Sequence, residues 1–302
     1  MSEFALFIGQ IFNGFSLASL FVLAALGLAL SFGLMRVINM AHGEMLMLGG
    51  YLAYLTLHVI PGPFGIIIAM PVAFLGAAAV GAIIEISVIH RLSSRPLDTL
   101  LATWGISLIV QQAARDLFGA IGVEVTAPMW LEQSFSVATG PLAGLTLPTV
   151  RIFILLIAVI VLGALGAFLA RSRIGLLVRA VNQDRFMAAA SGINVRQVDL
   201  AVFCLGTGIA GLAGVMLALL GPVTPTVGQS YIVPAFLVVI LGGLGSLVGT
   251  TIASLLTGLF SALIQIFVDV SVAQVLTLLF VIGFLQFRPQ GVIAVRSRAL
   301  EN

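Results

Sequence analysis

Lysine is absent from this 302-residue chain, so each of its 13 basic side chains is an arginine. Without lysine there is no GxxxxGK[ST] phosphate loop, and the chain does not hydrolyse ATP by that route. Cysteine occurs once, at Cys204, which excludes an intrachain disulfide and a multi-cysteine metal site. That residue reads as a small apolar filler within a span. Charge of either sign is scarce: Asp, Glu, Lys and Arg fill 8% of positions, against about a quarter in a soluble domain. Such a chain cannot cover a core with polar surface in water. There is no zincin motif, nucleophile–base pair or intramembrane aspartate dyad, so no catalytic residue and no metal ligand is assigned. The first residues, Met1-Ser2-Glu3-Phe4, lack the basic region of a removable signal peptide, and the first apolar run reads as a retained span.

What remains is mostly hydrocarbon. Apolar residues make up 61% of the chain and cluster at about 5–34, 44–60, 65–89, 98–118, 150–170, 200–220, 232–242, 247–267 and 272–287. Runs near 20 residues can cross a hydrocarbon layer of ~30 Å, and nothing shows the period-2 alternation of a membrane barrel. The fold class is an all-α polytopic membrane protein, one transmembrane domain over 1–302 with about eight or nine hydrophobic segments. Helices should stop at Pro61-Gly62-Pro63, Arg95-Pro96, Pro148, Gly221-Pro222 and Arg288-Pro289. Short cytoplasmic loops are enriched in arginine. That rule assigns Arg36, Arg91, Arg95, Arg171, Arg173, Arg179, Arg185, Arg196, Arg288, Arg296 and Arg298 to the cytoplasm, with the N-terminus outside and the C-terminus inside. Loop 119–149 is then external, with Glu124, Glu132 and the flanking Arg151, and Arg115-Asp116 reads as a local ion pair near an outer helix end.

Two segments break the pattern. Residues 232–242 are too short to span alone at 1.5 Å per residue and end in Gly242-Gly243-Leu244-Gly245-Ser246. An earlier break falls at Asn39-Met40-Ala41-His42-Gly43-Glu44. Paired interruptions suggest two pseudo-repeat halves with a solute path between them. The alternative is that one or both are turns at the membrane interface. Spacings such as Gly206-x-x-x-Ala210-x-x-x-Gly214 serve close helix packing.

The embedded titratable candidates are His42, Glu44, Glu85 and Asp269. Asn39 is a candidate N-cap, and a carboxylate at Glu44 in a first turn is favoured by the helix dipole. Direct contact of Glu44 with solute is the competing reading. Glu85 is expected to pair with Arg91 or Arg95, Asp269 to sit solvated at an outer turn, and His58 and His90 to lie at span ends.

A polar island from 171 to 199 interrupts the oily sequence and holds five arginines: 171, 173, 179, 185 and 196. Leu176–Ala190 is compatible with one helix, and Gly192 is a C-cap candidate followed by Ile193. A short helix with a small-residue flank suits a groove on a partner protein. It could equally be a solvated loop that fixes topology.

Taken together, these residues resemble the LivH-type permease subunits of bacterial ABC importers for branched-chain amino acids, urea and related amides. Gly33 through Glu44 looks like the family's G-x-x-x-x-I-N-x-A-H-G-E block. Arg179-Ala180 through Ala190-x-Gly192-Ile193 looks like its cytoplasmic coupling segment, and Phe287-Arg288-Pro289-Gln290-Gly291 like its ending. The Gly206–Gly214 and Leu241–Ser246 runs match further blocks. The resemblance implies a permease of an ATP-driven importer in the bacterial inner membrane, N-terminus periplasmic and C-terminus cytoplasmic. It implies as partners a second LivM-type permease in a heterodimer, two cytoplasmic ATPases that use ATP and Mg, and a periplasmic solute-binding protein. No cofactor is implied for this chain, and the rival class is an ATP-independent channel or facilitator.

On this resemblance the expected coupling residues are Arg179, Ala180, Asp184, Ala189, Ala190, Gly192 and Ile193. The expected solute path runs past Asn39, His42, Glu44, Gln229, Tyr231, Gly242, Gly243 and Gly245. Loop 119–149 and turn 221–231 are candidate contacts for the binding protein. Met40 and the Gly221-Pro222-Val223…Gly228-Gln229-Ser230-Tyr231-Ile232-Val233 block look more like the urea branch than the amino-acid branch. Arg36 in place of a small residue, and Pro234 in place of an acidic one, depart from the pattern.

Overall fold

The computed structural model describes residues 3–35, 37–93, 95–136 and 145–293. Arg36, Arg296, Arg298 and loop residues 137–144 lie outside the described residues. The chain forms α1 (Glu3–Met35), α2 (His42–Val59) and α3 (Gly65–Ile84), which runs through a π-helical turn at Glu85–Ile89 into the single turn α4 (His90–Leu92). Next come α5 (Pro96–Phe118), the short strands β1 (Ser134–Ser136) and β2 (Thr146–Pro148), and α6 (Thr149–Arg171). The strands pair antiparallel, Phe135 opposite Leu147. α7 (Arg173–Gln183), α8 (Arg185–Ala190), α9 (Val195–Ala218), α10 (Val227–Gly242), α11 (Leu247–Ile264) and α12 (Val270–Phe287) complete the described chain.

Among the described residues, six helical stretches are long and apolar enough to cross a membrane: α1, α3 with α4, α6, α9, α11 and α12. The other three members of the bundle carry polar or short sequences for definite reasons. α2 opens on His42-Gly43-Glu44, α5 carries a polar stripe, and α10 has 16 residues. α10 begins at Val227, five residues before the apolar run did, because Gly228-Gln229-Ser230 join the helix despite their polarity. The segment is therefore longer than its hydropathy suggested.

Backbone contact through glycine holds the centre together. A Cβ on Gly27 would meet the Gly206 carbonyl, one on Gly49 the Gly211 backbone, and one on Gly214 the Leu46 carbonyl. α9 thus touches α1 and α2 at main-chain distance, where dispersion and packing replace the hydrophobic drive that lipid does not supply. The Gly206–Ala210–Gly214 face read from the sequence is this contact.

Successive helices alternate between two ends of the bundle. One end gathers Arg91, Arg95, Arg171, Arg173, Arg179, Arg185, Arg196 and Arg288. The opposite end carries Arg115 and Arg151 with Asp116, Glu124, Glu132 and Asp269. Arg115 and Asp116 do not pair; Asp116 instead accepts from Gln112 Nε2 at 2.9 Å, one turn back on the same helix.

Candidate functional site

The first break is a return into the bundle. α1 ends at Met35, yet His42 Nε2 lies 3.1 Å from the Ala24 carbonyl, eleven residues back along α1. At 1.5 Å per residue the start of α2 therefore sits ~16 Å inside the end of α1. Residues between them are buried, among them Val37, Asn39 and Ala41. Their backbone is satisfied locally: Ala41 N–H donates to Asn39 Oδ1 at 3.0 Å, and Met40 N–H donates to Thr103 Oγ1 at 3.1 Å. Interrupted backbone at this depth needs such protein partners. Asn39 closes a turn upstream of the helix, while Ala41 holds the N-cap position without a side-chain cap.

Glu44 faces α5. Its Oε1 accepts from Ser107 Oγ and from Gln111 Nε2, each at 2.7 Å, and its side chain is fully buried. Its other oxygen has no partner among the described residues. α5 presents Thr99, Thr103, Ser107 and Gln111 inward, all buried, while Leu97, Leu101, Trp104 and Ile109 face outward. These four inward residues recur every fourth position, the spacing of one helix face. Sequence reading passed over them because each is a single mild polar residue in an apolar run; the repeat of four was the available signal.

The second break is built differently. Gly243 (φ 97°) and Gly245 (φ 85°) take the left-handed backbone that glycine tolerates, and they turn α10 directly into α11. A Cβ on Gly242 would strike Gly249 and Thr250 across this hairpin, and one on Gly33 would strike Gly245. The C-terminal segment seals the turn, with Val292 N–H donating to the Leu241 carbonyl at 2.7 Å. The Gly242–Gly245 turn thus sits at the arginine-rich end beside the last turn of α1. It is not brought together with Asn39, His42 and Glu44.

Tyr231 leads elsewhere. It lines a cavity of about 560 Å³ enclosed by α1, α10, α11, α12 and the start of α6. The cavity runs along roughly three turns, from Val270 at the head of α12 to Leu20, Val238 and Val281. Asn13, Arg151, Ser230, Gln265 and Gln274 ring its upper part, over walls of Leu, Val and Phe into which Thr257, Ser261 and Thr277 also face. Arg151 is its one charged group and makes no salt bridge among the described residues. Gln229 points away from it and is exposed.

At the same end, the loop after α5 and the turn before α10 are joined. Val123 and Val223 exchange backbone hydrogen bonds of 3.1 and 2.8 Å. Trp130 Nε1–H donates to the Pro63 carbonyl at 2.7 Å, tying the same loop to the α2–α3 turn. Asp269 is exposed at the head of α12, as its position suggested.

The polar island folds as two helices. Ser172 caps α7 through the Gly175 N–H, and Asp184 both stops α7 and caps α8, its Oδ1 accepting from Met187 N–H at 2.9 Å. One continuous helix over 176–190 is thereby excluded, since Asp184 is extended (φ −154°, ψ 108°). Gly192 (φ 85°) ends α8 with two bonds, from Gly192 N–H to the Ala189 carbonyl and from Ile193 N–H to the Ala188 carbonyl. Arg179 donates to the Leu169 carbonyl near the end of α6. Val181, Ala188 and Ile193 pack inward on α1 and α9, and Ala180 is half-buried. Ile174, Leu176, Phe186 and Met187 are exposed, Phe186 at 81%, with Ala189 and Ala190 beside them.

Glu85 does not pair with Arg91 or Arg95. It sits at the π-helical turn, fully buried, with both carboxylate oxygens unpartnered among the described residues, and Arg95 pairs with Asp98 at 3.6 Å instead.

The family model for the permease component of branched-chain amino acid transport systems matches residues 10–285. The chain belongs to this family. It is a multi-pass permease subunit of an ABC-type importer, a transport component and not an enzyme. The permease is 29% identical over 303 residues to the high-affinity branched-chain amino acid transport permease BraD of Pseudomonas aeruginosa, covering 97% of each chain. It is also 29% identical over 307 residues to LivH of Escherichia coli K12, again covering 97% of each. LivM of the same organism is 24% identical, over 95% of the permease and 70% of LivM. No solved structure matches it.

Proposed function

We propose that this permease carries a small amphipathic solute, a branched aliphatic amino acid, from a periplasmic binding protein to the cytoplasm. Transport is driven by two cytoplasmic ATPases, which use ATP and Mg and dock on α7 and α8. A LivM-type second permease completes a heterodimer in the inner membrane, and this chain binds no cofactor of its own. The arginine-rich end faces the cytoplasm, which follows from the enrichment of arginine in short cytoplasmic loops. The joined loops around Val123–Val223 and Trp130 then face the binding protein.

The observation that carries the solute assignment is the cavity beside Tyr231. A lone guanidinium above mainly apolar walls suits a carboxylate with an aliphatic side chain, and the volume, about 560 Å³, lies within the range of small-molecule pockets. The names of BraD and LivH point the same way. Urea or a short amide is the second reading, favoured by Met40 and the Gly221–Val233 block. Uptake of labelled leucine and labelled urea into proteoliposomes holding the full complex separates the two. Leucine should enter, and Arg151→Gln should weaken its uptake about tenfold, the scale of one charge-assisted hydrogen bond. Urea uptake without leucine uptake would overturn the assignment.

A further inference from the structure

The island holds one charged side chain that bridges two of the membrane-spanning helices. Arg185 opens α8, and its guanidinium forms an ion pair with Asp199 on the first turns of α9. The same guanidinium donates to the Leu34 carbonyl in the last turn of α1, at 3.3 Å. Asp199 is deeply buried, its side chain only 6% exposed, and its other oxygen has no partner among the described residues. A buried carboxylate is costly without a compensating charge, and Arg185 supplies the direct one. The Leu34 carbonyl it engages is among the last of α1 and has no helical donor of its own. Beyond Leu34 the chain turns back into the bundle toward Asn39, His42 and Glu44.

We propose that Arg185 is the positioning residue that transmits movement of α8 to α1 and α9. This rests on the reading of α7 and α8 as the ATPase docking surface, but it assigns a separate role. Exposed Phe186 and Met187 hold the partner, while Arg185 points inward and carries the displacement to two spans at once. One of those spans, α1, lines both the first break and the cavity that holds Arg151 and Tyr231. Apolar packing of Ala188 alone leaves α8 free to slide, because dispersion contacts have little directionality. A two-pronged guanidinium contact fixes direction.

The test uses the complete importer in proteoliposomes and reads three quantities: ATPase subunits retained on purification, ATP hydrolysis, and solute uptake. Arg185→Ala should keep the ATPases bound and hydrolysing while uptake falls about tenfold or more, the scale of a lost hydrogen bond to a buried charge. Asp199→Asn keeps the shape and removes the charge, so it should reach the membrane and show the same uncoupling, while Arg185→Lys should restore part of the uptake. Normal uptake in Arg185→Ala or Asp199→Asn would overturn the proposal. Loss of the ATPases from Arg185→Ala would overturn it too, by placing Arg185 in the docking surface. By contrast, failure of the docking reading itself would appear as ATPases that stay bound after substitution of Phe186 and Met187.

Discussion

At the residue scale, Glu44 is a fastener between α2 and α5. Its carboxylate accepts two hydrogen bonds of 2.7 Å from α5, beside an apolar contact in which Phe118 of α5 stacks on Tyr51 of α2. Hydrogen bonds to charged groups contribute about 1.5–3 kcal/mol each, so Glu44→Ala should lower the unfolding temperature of the purified permease markedly. Glu44→Gln, which keeps an acceptor, should lower it less. Equal loss in the two variants, measured by thermal unfolding in detergent, would contradict the fastener role. The carboxylate itself was legible in the sequence as an acidic residue in a first helical turn. Its partners were not, because Ser107 and Gln111 stand out only when the period of four through Thr99 and Thr103 is laid over α5. Glu85 misled for the opposite reason. Nearby arginines in sequence implied a partner, but the π-helical turn rotates Glu85 inward, away from Arg91 and Arg95.

At the element scale, α7 and α8 owe their form to three small signals: Ser172, Asp184 and Gly192. Each is in view in the sequence, yet only Gly192 reads there as a helix end, and Asp184 falls inside a stretch compatible with one longer helix. Asp184 caps α8 from an extended backbone, so Asp184→Ala should cost about 1 kcal/mol of local helix stability. Gly192→Ala should cost a similar ~1 kcal/mol, since alanine resists a φ of 85°. Gly192→Pro and charge reversal at Arg179 should abolish uptake while leaving membrane insertion intact, the first by breaking the α8–α9 turn and the second by releasing α7 from α6. Backbone hydrogen exchange in the Ser172–Asn194 segment checks the first pair, with faster exchange expected across α8. Unchanged exchange in both would show that packing of Ala188 and Val181, and not the caps, holds the segment. The two backbone breaks show why paired interruptions in sequence need geometry. Glycine with positive φ made a hairpin at 243–245, whereas Asn39 and Thr103 made a buried return.

At the scale of the whole molecule, the span order and the uneven distribution of arginine were legible from composition. Helix stops at proline and glycine fell within a few residues of the observed ends. What was not legible is which faces meet, because small-residue spacing marks a contact without naming its partner; only the structure joins Gly206 to Gly27 and Gly214 to Leu46. On the proposed function the island is the input and the cavity beside Tyr231 the solute site, and α1 links them, touching the island at Leu34 and the cavity at Asn13, Leu17 and Leu20. The most direct test is ATP-dependent leucine uptake by the reconstituted importer with the double substitution Phe186→Asp and Met187→Asp, whose native side chains are both exposed. The account predicts a correctly inserted permease that no longer retains the ATPases and no longer takes up leucine. Uptake at the normal rate in that variant, or uptake by the permease alone without ATP, would contradict it.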